Sequence, residues 1–358
     1  MIREFLFLLK TLVDRNMAVP TEVSFEVTNQ CNLSCWFCYN AAHARKWGGL
    51  PLTTDQWISI IDRVADAGVP RVRFTGGEPL IHPDLFVFME HARARGLKVW
   101  LNTNATLVNE SNAKHISRLA ENVLVSFHSN ECEGGSISLS RNHIDLRQRG
   151  ILLLKDSGIQ LLRAGTIISK SMIQQFEYLG SMICKLGFNQ WELIRLIPVL
   201  SDDVQLDGDD LAELVEKVLR VNFIKTRICN AMPFCSCDPS GISRVADGAL
   251  GDDGHRRVIV DASGRIKPIY FLLEYLGSAL EDDIRDVWQN PFLKRMRTLQ
   301  YVPSECRACR FVYVCRGGSR SVAHICSGSF SAPDPLARPQ QYKKQLFGYK
   351  RGGISIRP

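Results

Sequence analysis

The sequence predicts an α/β fold in which a partial (β/α)6 barrel precedes a small, cysteine-rich α+β domain. Between residues 21 and 200, six short apolar runs alternate with helix-like segments, which is typical of parallel β/α units with right-handed crossovers. A glycine follows most of these segments, where a left-handed residue commonly ends a helix: Gly68, Gly96, Gly158 and Gly187. The third observation is the grouping of twelve cysteines, ten of which lie before residue 39 or after residue 228.

Six strands and five helices are predicted in the barrel, in alternating order. The strands are expected at 22–28, 71–75, 97–101, 122–127, 159–168 and 190–197. The helices are expected at 54–67, 84–95, 111–120, 143–157 and 171–186. Six units are too few to close an eight-unit barrel, so the pattern predicts a partial, TIM-like one.

Beyond the barrel the pattern changes, and an acidic, turn-rich stretch after Pro198 predicts a domain boundary. A helix is expected at 210–221, a short hairpin around Ser263 and Gly264, and a helix near 281–299. The predicted parts are an N-terminal extension, the barrel, a connector, the cysteine-rich domain and a basic tail, at residues 1–19, 20–200, 201–228, 229–335 and 336–358.

Composition and charge exclude several classes of protein. With 358 residues, 45% of them hydrophobic, the chain is not expected to be disordered. Six of the seven excess positive charges lie beyond residue 335, so the body is not predicted to bind nucleic acid and the tail is expected to be solvated. No apolar run reaches the length of a membrane span and no export signal is recognised, which predicts a cytoplasmic protein. In a reducing compartment, clustered cysteines indicate metal binding or catalysis.

The first cysteine group directly follows the first predicted strand. Cys31, Cys35 and Cys38 are spaced so that three thiolates on one loop can face a single point. Three ligands leave one iron of a four-iron cluster open to a further ligand. A zinc site and a chance grouping remain as alternatives, although strand ends are where such barrels place active sites.

A second motif, Gly76-Gly77-Glu78-Pro79, ends the second predicted strand. Two glycines allow the backbone to approach a ligand closely, and Glu78 offers a carboxylate to an amino group. Taken alone, the motif is equally consistent with a plain turn. Its position one β/α unit after the cysteine motif is what favours a shared site.

Together these motifs resemble the radical S-adenosylmethionine (SAM) superfamily, whose pattern is CxxxCxφC followed by GGEP. The resemblance implies a [4Fe–4S] cluster on Cys31, Cys35 and Cys38, with SAM bound at the open iron. It also implies SAM contacts from residues that line the barrel, namely Phe37, Gly76, Gly77, Glu78, Pro79, Asn104 and Ser126. For Asn104 and Ser126 an ordinary strand-end cap is an open alternative.

The activity implied by the resemblance is reductive cleavage of SAM. An electron from a donor such as flavodoxin or ferredoxin enters the cluster, and a 5′-deoxyadenosyl radical then abstracts hydrogen from the substrate. A closed barrel interior suits this chemistry, because such a radical must be kept from water.

The C-terminal cysteines resemble the SPASM/twitch extension of the same superfamily. The resemblance implies one auxiliary [4Fe–4S] cluster on Cys306, Cys309, Cys315 and Cys326. Cys229 and Cys235 match two ligands of a second auxiliary cluster, but Ile269 and Ser319 stand where its other two ligands belong. A three-ligand site that adds Cys237 is left open, as is a structural zinc knuckle in the Cys306 group.

The substrate is the least determined part of the function. Since only about 20 residues precede the barrel, too few for a leader-binding domain, a small natural-product intermediate such as a sugar or nucleoside is expected. Modification of a ribosomal peptide or protein is the alternative, and a non-catalytic electron-transfer or redox-sensing protein is a rival of another class. Cys132, after the fourth strand, is a candidate hydrogen-atom donor, with a buried structural role as the alternative.

Overall fold

A single ten-stranded sheet runs through the computed structural model, which describes residues 16–40, 49–128, 141–197, 206–249 and 254–347. Its strands are β1 (Glu22–Thr28), β2 (Arg71–Gly76), β3 (Lys98–Thr103), β4 (Asn122–Ser126), β5 (Leu161–Ile168), β6 (Gln190–Arg195), β7 (Lys225–Ile228), β8 (Arg257–Val260), β9 (Arg265–Lys267) and β10 (Gly277–Ser278). In space the order is β10-β9-β8-β1-β2-β3-β4-β5-β6-β7. All pairs from β8 to β7 are parallel, whereas β9 and β10 pair antiparallel.

Helices connect the parallel strands and continue into the C-terminal part. Those of the barrel are α1 (Thr54–Asp66), α2 (Leu85–Ala94), α3 (Glu110–Leu119), α4 (Arg141–Asp156), α5 (Lys170–Gln174), α6 (Phe176–Lys185) and α7 (Gly208–Arg220). Those that follow are α8 (Pro239–Val245), α9 (Ile284–Trp288), α10 (Pro291–Arg297), α11 (Val312–Cys315), α12 (Arg320–Ser327) and α13 (Lys343–Phe347). No helix within the described ranges is both long and apolar enough to span a membrane.

The predicted partial barrel is confirmed, and the sheet extends past the six predicted strands at both edges. β7 adds a strand beside β6 from the segment predicted as connector, and β8 adds one beside β1 from the cysteine-rich part. The hairpin around Ser263 and Gly264 is confirmed as β8–β9, with Gly264 at φ +82°. The helix predicted near 281–299 forms as α9 and α10.

The prediction of one helix over 171–186 is wrong. Gln175, with φ −98° and ψ 14°, separates α5 from α6. After this break Phe176 stacks on Trp191 of β6, with ring centroids 4.6 Å apart. Packing of a large aromatic pair therefore overrides the helical pattern of the sequence.

The core lies between the sheet and its outer helices. β1 is buried on both faces, as expected for a central parallel strand. On α1, a capping box between Thr53 and Gln56 fixes the helix start, and the buried stripe that includes Trp57 faces β1 and β2. The Trp57 ring lies 5.5 Å from the Phe25 ring.

In the described part of the tail the basic side chains of Arg338, Lys343 and Lys344 are exposed, as predicted, but the segment is anchored to the rest of the protein. Residues 336–347 pack onto the cysteine-rich part, because α13 carries the buried Leu346. The carbonyl of Leu346 accepts a hydrogen bond from the Arg310 N–H at 3.2 Å, and the Gln345 amide donates to Asp238 at 3.1 Å. An apolar side chain in a basic segment is enough to anchor it.

Candidate active site

A cavity of about 260 Å³ lies at the carboxyl ends of the barrel strands and collects most of the predicted site residues. In its wall are Cys31, Cys35, Phe37, Cys38, Gly76, Gly77, Glu78, Asn104 and Ser126. Pro79 does not line it but is buried next to Glu78, at the start of a 3₁₀ turn over Pro79–Ile81. The cavity has the place that a β/α barrel gives its active site.

The loop after β1 is shaped by hydrogen bonds to its own sulfur and backbone atoms. The Leu33 N–H points at the Cys31 Sγ at 3.4 Å, and the Cys38 N–H donates to the Cys35 carbonyl at 3.1 Å. Burial raises the pKa of the Cys31 thiol, so a thiolate there needs a compensating cation. Three soft donors on one loop beside a cavity fit the iron–sulfur cluster that the motif implies. Within the described ranges, no three metal-ligating side chains converge on a single ion.

The two glycines of the GGEP motif have a structural reason that differs from the predicted one. A Cβ on Gly76 would overlap the Thr28 carbonyl oxygen, and one on Gly77 would overlap that of Gln30. The Gly77 N–H donates to Thr28 at 2.7 Å, and the Glu78 N–H donates to Gln30 at 2.8 Å. The glycines therefore let the end of β2 lie directly against the start of the cysteine loop.

Glu78 organises the strand ends from a buried position. One carboxylate oxygen accepts from the Thr103 hydroxyl at 2.7 Å and the Leu80 N–H at 3.2 Å; the other accepts from the Asn104 N–H at 2.7 Å. Burial outweighs these bonds and raises the pKa of Glu78 to about 7. Its predicted contact with an amino group stays a prediction, and its bonds within the chain are a role that the sequence did not indicate.

Asn104 ties the cysteine loop to the end of β3. Its amide donates to Asn32 at 2.9 Å, and its carbonyl oxygen accepts from the Thr106 backbone and hydroxyl at 2.9 and 2.7 Å. The Asn32 amide in turn donates to the Thr106 hydroxyl at 2.8 Å. Asn104 thus lines the cavity and also acts as the strand-end anchor that was its alternative role.

Phe37 is held at the cavity wall by His128, which follows β4. Their rings meet edge to face with centroids 4.8 Å apart. Burial, together with the nearby Arg147 guanidinium, lowers the pKa of His128 to about 3. The Ile167 N–H donates to its Nδ1 at 3.2 Å, so His128 is a neutral structural partner. Ser126 ends β4 with its side chain exposed to the cavity, and Cys132 lies outside the described residues.

The cavity also receives side chains that the sequence analysis missed. Tyr270 and Phe271 come from the segment after β9, and their rings lie 5.7 and 5.2 Å from that of Tyr39. A buried ion pair between Lys267 and Glu26, 2.7 Å long, fastens this segment to β1. One feature of the sequence could have indicated Tyr270 and Phe271. Directly before them, the apolar Ile269 stands where the motif has a cysteine, which is consistent with a segment that packs into the barrel core instead of binding a cluster.

A second, apolar pocket holds four thiols of the C-terminal part. It is lined by Cys235, Cys306, Cys309 and Cys315, with Phe234, Val312, Leu346 and Phe347 among the apolar walls. The Phe234 N–H points at the Cys315 Sγ at 3.3 Å. Burial raises the pKa of Cys235 and Cys306 to about 12 each, and neighbouring thiols add to the shift. The structure brings Cys235 to this group, whereas Cys326 is exposed and does not line the pocket.

The other residues of the predicted second auxiliary site are not brought together. Cys229 lines a different cavity, at the opposite end of the barrel, and Cys237 is buried in the core. Ile269 is buried, and Ser319 is the N-cap of α12, with its hydroxyl accepting from the Val322 N–H at 3.2 Å. Both positions that lack cysteine therefore have structural roles.

Comparison with known proteins supports the motif assignment. The family described as "Radical SAM superfamily" matches residues 25–168. An AdoMet-dependent heme synthase of Oleidesulfovibrio alaskensis is 27% identical, over 94% of this chain and 91% of that protein. A PqqA peptide cyclase of Granulibacter bethesdensis is 22% identical, over 88% of this chain and 86% of that protein.

The fold has a counterpart among solved structures. Streptococcus suis SuiB, bound to its precursor peptide SuiA, superposes with a TM-score of 0.70 at 18% identity and covers 93% of this chain and 79% of its own. That likeness extends through the cysteine-rich part as well as the barrel. The matched segment and the two motifs at one cavity lead to one conclusion: residues 25–168 are a radical SAM domain, in a chain whose fold is similar to that of SuiB.

Proposed function

We propose that this radical SAM enzyme modifies a peptide or protein substrate inside the barrel. The observation that carries the proposal is the common wall of two cavities inside the barrel. The 260 Å³ cavity at the strand ends shares five lining residues with a 640 Å³ cavity at the opposite end: Asn102, Leu124, Ile194, Tyr270 and Phe271. Two cavities that adjoin along the strands suit an extended chain that is held in the larger one while one of its residues reacts at the cysteine end.

Cys31, Cys35 and Cys38 would hold the [4Fe–4S] cluster, and Gly76 to Pro79, Phe37, Asn104 and Ser126 would lie around SAM. Together these groups would supply a reductively generated 5′-deoxyadenosyl radical, with the electron coming from a flavodoxin or ferredoxin in the cytoplasm. The residues of this chain prepare the site. Asn104 holds the cysteine loop, His128 positions Phe37, and the Tyr270 and Phe271 rings shield the interior from water.

Several proteins that are similar to this chain support a peptide substrate, because their names describe peptide modification or maturation. A PqqA peptide cyclase, the mycofactocin maturase MftC of Mycobacterium tuberculosis and SuiB with its precursor peptide all match this chain over most of its length. The small-molecule substrate expected from the sequence is therefore the second candidate. Its support is the heme synthase, the relative with the higher identity of those compared.

The experiment for this function uses anaerobically reconstituted protein with SAM and dithionite. Each short peptide encoded beside its gene is added separately, and the product is analysed by mass spectrometry, with a mixture of small carboxylic acids and nucleosides as a parallel sample. We expect a peptide mass change that depends on SAM and on the peptide chosen. Turnover of the small-molecule mixture alone, with every peptide unchanged, would contradict the peptide proposal in favour of the second candidate.

We also propose that the auxiliary cluster is held by Cys235, Cys306, Cys309 and Cys315, with Cys235 in the place that the motif gives to Cys326. The common pocket and the exposure of Cys326 support this ligand set. Four thiols in an apolar pocket match the ligand number of a closed iron–sulfur cluster.

The ligand set predicts a difference between two cysteine variants. Cys235→Ala is expected to lose about half of the iron bound by reconstituted protein, because one of two four-iron clusters lacks a ligand. Cys326→Ala is the matched control and should keep the wild-type content. Iron and sulfide analysis with electron paramagnetic resonance measures both, and loss of the cluster in Cys326→Ala but not in Cys235→Ala would restore the motif's assignment.

A further inference from the structure

The larger barrel cavity, at the amino ends of the strands, is rich in arginines. Among its described lining residues, six arginines face three carboxylates, those of Glu22, Glu192 and Asp247. The arginines are Arg71, Arg73, Arg163, Arg227, Arg256 and Arg257. Guanidinium groups gathered in a partly enclosed, low-dielectric space create a strong field for anions.

The carboxylates of the cavity are already engaged by these arginines. Glu22 pairs with Arg71 at 2.9 Å and with Arg73 at 2.8 Å. Burial alone would raise the pKa of Glu22, but Arg73, Arg257 and Arg71 together hold it well below its usual range. Glu22 therefore remains ionised and holds Arg71 and Arg73 at the cavity wall.

Arg163 of β5 has an unused donor in this cavity. Its Nε donates to the Asn122 side chain at 2.6 Å, and its Nη1 pairs with Glu192. Its Nη2 is buried and has no hydrogen-bond partner among the described residues, although the residue is only 7% exposed. Buried guanidinium donors are almost always satisfied, so an orphan beside a cavity indicates a partner that comes from outside the chain.

Trp100 lies in the middle of this cluster. The guanidinium carbons of Arg71, Arg73 and Arg163 are 3.9, 4.7 and 5.3 Å from its ring centroid. Stacking on one indole holds the three cations close together in spite of their repulsion. The cluster is thus rigid before any ligand enters, which lowers the entropy lost on binding.

We propose that this arginine cluster binds a carboxylate group of the substrate, with Arg163 as its anchor. The arginines already bind the carboxylates of Glu22 and Glu192 in this geometry, so they suit a carboxylate ligand. A doubly charged phosphate is less favoured, because Glu22 and Glu192 would repel it more strongly. The proposal deepens the proposed function: the carboxylate belongs to an acidic side chain or chain end of the peptide.

The anchor also fixes how far away the reaction occurs. Arg73, whose guanidinium lies on the same Trp100 ring as that of Arg163, is three positions before Gly76 in β2, which corresponds to about 10 Å at ~3.3 Å per residue. In an extended peptide the same distance covers about three residues. We therefore expect the modified residue to lie about three positions from the anchored carboxylate.

The test measures binding without turnover, by calorimetry on anaerobic, reconstituted holoprotein with SAM and no reductant. The probe is the pentapeptide acetyl-Gly-Glu-Glu-Glu-Gly-amide. It is compared with the same peptide in which glutamine replaces each glutamate (its Gln twin), with citrate and with inorganic phosphate. We expect the acidic peptide to bind at least about tenfold more tightly than its Gln twin and than phosphate, with affinity falling as salt is added. If citrate binds as tightly as the acidic peptide, the result supports a carboxylate-binding site and contradicts the proposal that the substrate is a peptide.

Two variants and a control locate the binding. Arg163→Gln and Arg257→Gln should each weaken the acidic peptide by about tenfold, because each removes a charge-assisted hydrogen bond, and Arg163→Lys should recover part of the loss. Arg118→Gln, on the outside of α3, makes the same charge change and should bind as the wild type. Equal binding of both peptides, tighter binding of phosphate, or wild-type affinity in a folded Arg163→Gln protein would overturn the proposal.

Discussion

Glu78 shows how a single residue of the motif serves the site through the chain around it. The sequence predicts its place at a strand end, because GGEP follows an apolar run. Its bonds to Thr103 and Asn104 depend on β3 lying beside β2, a long-range contact that no local pattern records. The same holds for Arg163 and Trp100, which are distant in sequence and unremarkable in pattern, yet meet across parallel strands.

The raised pKa of Glu78 predicts a pH-dependent stability. The folded protein keeps the Glu78 proton up to about pH 7, whereas the unfolded chain releases it near 4.5, the ordinary pKa of a glutamate side chain. The stabilisation is therefore full below pH 4.5 and is lost as the pH rises through about 7. Glu78→Gln cannot ionise. The free energy of unfolding of the wild type relative to this variant should therefore fall by about 3 kcal/mol between pH 4.5 and 8.

Anaerobic urea titrations of both proteins at a series of pH values measure this difference. Glu110→Gln, which changes an exposed carboxylate on α3, is the control and should show a nearly constant difference. A constant difference for Glu78→Gln as well would show that Glu78 does not carry the proton.

At the scale of elements, the sequence predicted the barrel strands and the first four barrel helices to within two residues of their bounds. This success rests on buried parallel strands that are continuously apolar and on helices closed by glycine. The pattern does not predict the break between α5 and α6, the strand β7 or the pairing of β8 with β1. These features depend on tertiary packing, through the Phe176–Trp191 stack and the pairing of β8 with β1.

The close contact between the end of β2 and the loop after β1 leaves no room for a methyl group at Gly77, so we expect Gly77→Ala to be strongly destabilising. Gly77→Ala places its Cβ on the Gln30 carbonyl, so the cysteine loop must move, and we expect a loss of about 3 kcal/mol in stability together with lower cluster content. Gly68→Ala is the control. At φ +85° with no heavy atom near its Cβ, it should lose only about 1 kcal/mol.

Urea titration and iron analysis of the two variants measure these effects. Equal losses in both would mean that the close approach at Gly77 is unimportant.

Across the whole molecule, the barrel and the cysteine-rich part share one sheet and a buried ion pair. Arg195 at the end of β6 makes a two-pronged bond to Asp334, at 2.7 and 3.0 Å, and Asp334 also accepts from the Ser319 N–H at 2.8 Å. One cluster of interactions thus joins the substrate cavity, which Arg195 lines, to the start of α12. The motif pattern of the C-terminal part could not reveal this link, since Asp334 belongs to no motif.

Breaking this pair should destabilise the whole chain. Arg195→Ala leaves Asp334 charged and buried, and we expect a loss of at least about 3 kcal/mol in one cooperative unfolding transition. Arg118→Ala breaks the exposed pair with Glu90 and should lose less than ~1 kcal/mol. Separate transitions for the two parts of the chain, or a loss no larger than that of the control, would show that the pair does not join them.

The three thiols after β1 and the neighbouring GGEP turn are the basis of the proposed SAM-cleaving site. Its most direct test is 5′-deoxyadenosine formation by the reconstituted wild type and by Cys35→Ala, with SAM and dithionite under strict exclusion of oxygen. We expect 5′-deoxyadenosine from the wild type and at least about a hundredfold less from Cys35→Ala, which lacks a ligand of the proposed cluster. No 5′-deoxyadenosine from a wild type whose cluster is intact, or equal amounts from both proteins, would contradict it.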